Sequence, residues 1–80
     1  MNVKILGSGC SKCKALEQKV RQLDEAYHMH LEIEKVTDLK EIMQYGVLMT
    51  PGLVVDGAIK SYGNIPKDEQ LLLWFKEERS

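Results

Sequence analysis

The chain reads as a single α/β domain in the order β-α-β-α-β-β-α, a four-stranded mixed sheet with three helices on its faces. Three features point to this class. The apolar run Val3-Lys4-Ile5-Leu6 ends in Gly7-Ser8-Gly9 and passes at once into a segment with helical periodicity. A second β-like segment follows that helix, which makes a βαβ unit with two parallel strands and a right-handed crossover. Asp56-Gly57 then joins two β-forming runs, a strong signal for a tight hairpin, because both turn residues must tolerate positive φ.

Each element has its own justification. Residues 2–6 form a short buried strand, β-branched at Val3 and Ile5. The first helix runs from Ser11 to Tyr27, with Leu16, Val20, Leu23 and Tyr27 spaced to share its inward face. Residues 30–36 form the second strand, Leu31 and Ile33 alternating with Glu32 and Glu34. Asp38 caps the second helix, with Glu41 three residues on as a variant capping box; Leu39, Ile42 and Met43 make its buried stripe, and Gly46 ends it. Residues 47–51 connect to the hairpin, whose strands are Leu53-Val54-Val55 and Ala58-Ile59-Lys60-Ser61. Asn64-Ile65-Pro66 opens the last helix, with Pro66 in its first turn. Leu71, Leu72 and Phe75 turn inward there, and Trp74 lies at the edge of the core.

Composition narrows the function. Eighty residues make one domain, residues 1–80, with a limited core. The net charge is −1 with acids and bases interspersed, which argues against a nucleic-acid surface or a basic membrane patch. The apolar stretch Leu71-Leu72-Leu73-Trp74-Phe75 is far shorter than the roughly 20 residues of a spanning helix. Met1-Asn2-Val3-Lys4 enters a strand directly, so no signal peptide is expected and the expected location is cytoplasmic. A monomer is the expected state.

The chemistry concentrates at Gly9-Cys10-Ser11-Lys12-Cys13, which holds both cysteines of the chain. In a reducing compartment a close pair is more often redox-active or metal-binding than a permanent bridge. As a staple it would do little, because a disulfide across so short a loop constrains little of the unfolded chain. Cys10 is set where the helix starts, so unpaired backbone N–H groups and the helix dipole favour a thiolate there. Lys12 adds a positive charge, a weak influence if exposed to water. The Cys13 thiol can hydrogen-bond to the Cys10 thiolate. Cys10 is therefore expected to attack and Cys13, further into the helix, to resolve the mixed disulfide.

Two other readings use the same residues. The cysteines could be packed and inert. They could also hold a metal, as half of a tetrahedral site. His28 and His30 are poor partners for that, since the helix would place them about 22 Å away at ~1.5 Å per residue. A two-thiolate site for a soft metal or metalloid, or one completed by a second chain, is the alternative function.

Thr50-Pro51 precedes the third strand, where the missing N–H of Pro51 matters least. With the cysteine motif it completes a pattern. Over essentially its whole length the chain resembles the thioredoxin/glutaredoxin superfamily, and most of all its small redox-active disulfide proteins. Three segments carry the resemblance: Gly9-Cys10-Ser11-Lys12-Cys13, then Tyr45-Gly46-Val47-Leu48-Met49-Thr50-Pro51, then Val55-Asp56-Gly57 with Ser61-Tyr62-Gly63. The pair between the cysteines, Ser11-Lys12, is neither the Gly-Pro usual in thioredoxins nor the Pro-Tyr usual in glutaredoxins.

The resemblance implies a minimal thioredoxin fold and a dithiol–disulfide oxidoreductase acting in cell redox homeostasis. It implies that Pro51 is cis and lies against the disulfide, that the backbone of Thr50 binds an extended substrate, and that Gly63 allows close backbone approach. Cys10 and Cys13 are the implied catalytic pair; Lys12, from its charge beside them, is expected to tune the pKa. The expected substrate is a disulfide in a protein or small molecule, with an outside reductase or thiol restoring the dithiol. No nicotinamide, flavin or metal cofactor is expected; the redox group is the Cys10–Cys13 pair itself. Tyr45 and Met49 are expected to cover the helix–sheet junction; the alternative for Met49 is an apolar rim around the disulfide that a partner protein could grip.

Overall fold

The computed structural model describes residues 1–79. The elements are β1 (Asn2–Leu6), α1 (Ser11–Tyr27), β2 (Glu32–Val36), α2 (Leu39–Gln44), β3 (Gly52–Val55), β4 (Ala58–Tyr62) and α3 (Asp68–Arg79). They form one four-stranded sheet in the order β2-β1-β3-β4. β1 and β2 are parallel, with Val3 opposite Ile33 and Ile5 opposite Lys35. The β1–β3 and β3–β4 pairs are antiparallel, the latter with a register shift between Leu53 and Val54. This is the mixed α/β sheet with three helices that the sequence predicts.

Strand alternation sorts the core onto the two sheet faces. Val3 and Ile5 of β1 pack with Leu53 and Val55 of β3 against Leu16, Val20 and Leu23 of α1 and Leu71 and Phe75 of α3. Leu6 and Val54, one step out of phase, pack on the other face with Val36, Ile42 and Val47. Thus α1 and α3 share one face and α2 covers the other. No helix among the described residues is long and apolar enough to cross a membrane.

The hairpin follows its turn chemistry. Asp56 and Gly57 have φ of 47° and 86°, as a type I′ turn requires. The carboxylate of Asp56 also accepts from the Asn2 N–H at 2.7 Å, tying the turn to the start of β1. Gly46, with φ of 76°, lies just beyond α2, and its N–H donates to the Met43 carbonyl at 2.9 Å.

Several boundaries and burials differ from the sequence expectation. The second strand begins at Glu32 rather than at residue 30, because His28 and His30 adopt left-handed backbone (φ 50° and 55°) and turn the chain around the buried Met29. The Asp24 carboxylate accepts from the Leu31 N–H at 3.0 Å and holds this turn. Tyr27, expected on the inward face of α1, is exposed at the end of the helix. Asp38 caps α2 as expected, its side chain accepting from the Lys40 N–H at 2.9 Å. Of the stripe expected on α2, however, only Ile42 is buried; Leu39 and Met43 are 69% and 61% exposed. A six-residue helix seats little more than one side chain on the sheet. The last helix starts at Asp68, later than residues 64–66. Pro66 is buried ahead of it, and its carbonyl accepts from Lys19 Nζ at 2.8 Å. Leu71 and Phe75 are fully buried, while Leu72 and Trp74 are partly buried against the same core.

Candidate functional site

The site begins where β1 stops. Gly7, Ser8 and Gly9 bend the chain out of the sheet, with Gly9 at φ 93°. Cys10 is the N-cap of α1, with extended backbone (φ −66°, ψ 165°), and its carbonyl accepts the first helical hydrogen bond from the Lys14 N–H at 3.0 Å. The N-cap sulfur takes the place of the oxygen that usually satisfies an orphan N–H: the Cys13 N–H donates to Cys10 Sγ at 3.4 Å. Both cysteines are thiols, Cys10 exposed and Cys13 buried.

The two thiols are driven apart in acidity. The Cys10 thiol is held below the ordinary thiol value, first by a hydrogen bond from the Cys13 side chain and then by the Cys13 backbone N–H. The Lys12 backbone N–H and the Thr50 hydroxyl push in the same direction. Burial pushes the Cys13 thiol up, and donation to Cys10 raises it further. Lys12, expected to tune the site through its ammonium, thus contributes to Cys10 through its backbone N–H.

The second wall comes from the loop before β3. The Thr50–Pro51 peptide bond is cis, as the resemblance implies. Pro51 is fully buried, and its carbonyl accepts from the Gly63 N–H at 2.9 Å. This bond links the loop to the end of β4. Gly63 has φ of 80°, and a Cβ there would lie 3.2 Å from Met49 Cβ. The fold therefore brings Cys10, Cys13 and Thr50 into one hydrogen-bonding group and joins Pro51 to Gly63 behind it. Met49, next to Thr50 in the chain and against Gly63, is 60% exposed, and Leu48 before it is 92% exposed.

Among the described residues, no group of three or more His, Cys, Asp or Glu side chains is placed to hold a metal ion. His28 and His30 lie beyond the opposite end of α1 from the cysteines.

Two features near Cys13 are not apparent in the sequence. Gly7 is buried, and a Cβ built on it would lie 2.2 Å from Cys13 Sγ and 3.7 Å from Thr50 Cβ. Gly7 and Cys13 also border a cleft of about 40 Å³ shared with Glu17 and Lys35. Glu17 accepts from Arg21 Nε at 2.9 Å and lies 3.5 Å from Lys35 Nζ, and the Arg21 hydrogen bond holds its carboxyl below the usual range. The one sequence signal for these contacts is helical spacing, which puts Glu17 one turn beyond Cys13. A wider groove of about 560 Å³ lies along α2 at Glu41, Gln44 and Tyr45 and is lined by none of the cysteine-site residues.

Residues 1–76 match the family described as thioredoxin domain. A thioredoxin of Methanothermobacter thermautotrophicus is 32% identical over 71 residues, covering 89% of this chain and 92% of that protein. A thioredoxin of Methanocaldococcus jannaschii is 38% identical over 69 residues, covering 86% of this chain and 79% of that protein. At family level these relatives support thiol–disulfide oxidoreductase chemistry. The chain belongs to the thioredoxin family.

Proposed function

We propose that the protein reduces disulfides of proteins or small molecules by dithiol–disulfide exchange, with Cys10 as nucleophile and Cys13 as resolving thiol. The observation that carries this reading is the pairing of an exposed N-cap sulfur of lowered pKa with a buried thiol that donates to it. A thiolate is the attacking species, and a proton-rich neighbour stabilises it before attack. Cys10 thiolate attacks one sulfur of the substrate disulfide; a mixed disulfide forms and one substrate thiolate leaves. Cys13 then loses its proton and attacks Cys10 Sγ, releasing the second substrate thiol and leaving the Cys10–Cys13 disulfide. Two electrons pass to the substrate. An external reductase or thiol returns them to the protein.

Thr50, Pro51 and Gly63 fit a binding role beside this pair, with Thr50 offering backbone groups to an extended substrate segment. The redox group is the cysteine pair, with no other cofactor, and the protein works as a monomer in the cytoplasm. The test is insulin reduction with dithiothreitol as electron source. Wild type should accelerate it, Cys10→Ser should be inactive, and Cys13→Ser should accumulate a mixed disulfide with substrate. Trapping by Cys10→Ser instead would reverse the assignment. Stoichiometric metal in the purified protein with no disulfide turnover would replace the reading with metal binding.

A further inference from the structure

Gly7 has no conformational need to be glycine. Its φ is not among the positive values found at Gly9, Gly46, Gly57 and Gly63. What it lacks is room. A Cβ at this position would lie 2.2 Å from Cys13 Sγ, close to the ~2.05 Å of a covalent S–S bond, and 3.1 Å from Cys13 Cβ. The Cys13 sulfur occupies the volume that a side chain at residue 7 would fill.

Neither backbone can easily retreat. The Gly7 N–H donates to the Val36 carbonyl at 2.9 Å, which holds residue 7 to β2. α1 is fixed by Leu16 and Val20, both fully buried. A substituent at residue 7 would therefore be accommodated mainly by rotating the Cys13 sulfur out of its place. One exit leads toward Cys10, whose Sγ already accepts from the Cys13 N–H. The other leads into the cleft bordered by Glu17 and Lys35.

We infer that Gly7 is a positioning residue whose missing side chain seats the reduced Cys13 sulfur and thereby sets the balance between dithiol and disulfide. This rests on the reversible Cys10–Cys13 couple of the proposed function. The exchange is Cys10-SH plus Cys13-SH plus oxidised glutathione giving the intrachain disulfide plus two reduced glutathiones, two electrons and two protons passing to glutathione. The disulfide requires the Cys13 sulfur at bonding distance from Cys10. In the dithiol it rests in the seat while the thiol donates to Cys10, and closing the S–S bond to about 2.05 Å draws it from that place toward Cys10. Filling the seat removes a resting place from the dithiol and favours the disulfide.

The experiment has two arms. In the first, wild type and Gly7→Ala are equilibrated in glutathione buffers of graded ratio, and the disulfide fraction is read by thiol alkylation. Gly7→Ala should shift the midpoint at least fivefold toward disulfide; an unchanged midpoint, or a shift toward dithiol, overturns the inference. The second arm measures thermal unfolding of the reduced proteins in a cycle of Gly7→Ala, Cys13→Ala and both changes. Gly7→Ala should lower the midpoint temperature substantially when Cys13 is present and much less in the Cys13→Ala background, where no sulfur fills the seat. Equal losses from Gly7→Ala in both backgrounds overturn it. Failure of the wild type to form a reversible disulfide would instead remove the proposed function, and the unfolding cycle would still decide the seat.

Discussion

The backbone N–H of Cys13 donates to the sulfur of Cys10 at 3.4 Å, while the Cys13 side chain is buried and that of Cys10 faces solvent. One residue thus supplies two donors to its partner, the thiol and the amide. The partner needs no buried environment to become acidic. This division of labour separates an exposed attacking group from a protected resolving one within a single helical turn.

Alkylation should expose the division. Because the Cys10 thiol is lowered, its reaction with iodoacetamide should rise at lower pH than that of the denatured chain. Cys13→Ala removes the first of its two main donors and keeps the amide. The profile should then move up, part of the way to the ordinary thiol range. Coincident folded and denatured profiles would remove the basis for Cys10 as nucleophile.

The same shifts have opposite effects on the stability of the reduced protein. The folded state prefers Cys10 as thiolate, so its contribution is present above the unfolded thiol value and lost as pH falls through the folded value. Cys13 is raised, so its contribution is full below the unfolded value and lost as pH rises toward the folded one. Reduced Cys13→Ser, which keeps Cys10 and its amide donor, should therefore gain stability as pH approaches the thiol range from below. Reduced Cys10→Ser, which keeps a Cys13 raised chiefly by burial, should lose it as pH passes above that range. Thermal unfolding across pH reads both slopes, and slopes of the same sign would contradict the two assignments.

On the acid side the group to follow is Glu17, half-sheltered with 18% side-chain exposure and paired with Arg21 and Lys35. Its pKa is lowered, first by the Arg21 hydrogen bond. Its contribution is thus present above the unfolded carboxyl value of about 4.3 and lost as pH falls through the folded value. Glu17→Gln should flatten that acid limb by a few tenths of a kcal/mol, the usual ~0.3–0.5 kcal/mol of an i,i+4 pair. Parallel unfolding curves for wild type and Glu17→Gln across that range would show that the pair contributes nothing.

Local rules made much of the fold legible in the sequence. Asp56-Gly57 specifies the hairpin because its two residues carry the turn's positive φ, and Gly46 marks the end of α2 for the same reason. Alternation at Leu31 and Ile33 places them against the core. What local rules miss is how much sheet a helix covers. Leu39 and Met43 satisfy the helical spacing, yet α2 is too short to bury them. At the site, Cys10 and Cys13 were legible because their spacing is itself the geometry. Gly7 was not, because its neighbour is a sulfur carried back to the end of β1 by the next element, and a glycine in Gly7-Ser8-Gly9 looks like any turn residue.

The contrast between buried Phe75 and exposed Leu39 gives a stability test of that lesson. Phe75 is fully buried where α3 meets the core of β1, β3 and α1. Phe75→Ala should cost about 3–5 kcal/mol, a large share of the roughly 5–15 kcal/mol available to a small domain. Leu39→Ser should change stability by no more than about 0.5 kcal/mol, as expected of a surface position. Urea unfolding of the two variants measures both. A large loss for Leu39→Ser would mean that α2 packs more deeply than its exposure indicates.

Two glycines of nearly equal backbone conformation separate strain from crowding beside the site. Gly57 and Gly63 have φ of 86° and 80°; a Cβ at Gly57 meets nothing within 4 Å, whereas at Gly63 it meets Met49 Cβ at 3.2 Å. Either change to alanine should cost about 1–2 kcal/mol through the left-handed backbone. Only Gly63→Ala should also press on Met49, the neighbour of Thr50, and on the hydrogen bond that joins Gly63 to Pro51. Its insulin reduction should fall severalfold, short of the roughly hundredfold that a 1 Å misplacement can cause. Gly57→Ala should keep full turnover at temperatures where it stays folded. Adding Met49→Gly to Gly63→Ala removes the Cβ that the new methyl presses on and should restore part of the rate without restoring stability. If the rate instead follows stability in all three variants, Gly63 acts through backbone conformation alone and the contact with Met49 does not shape the site.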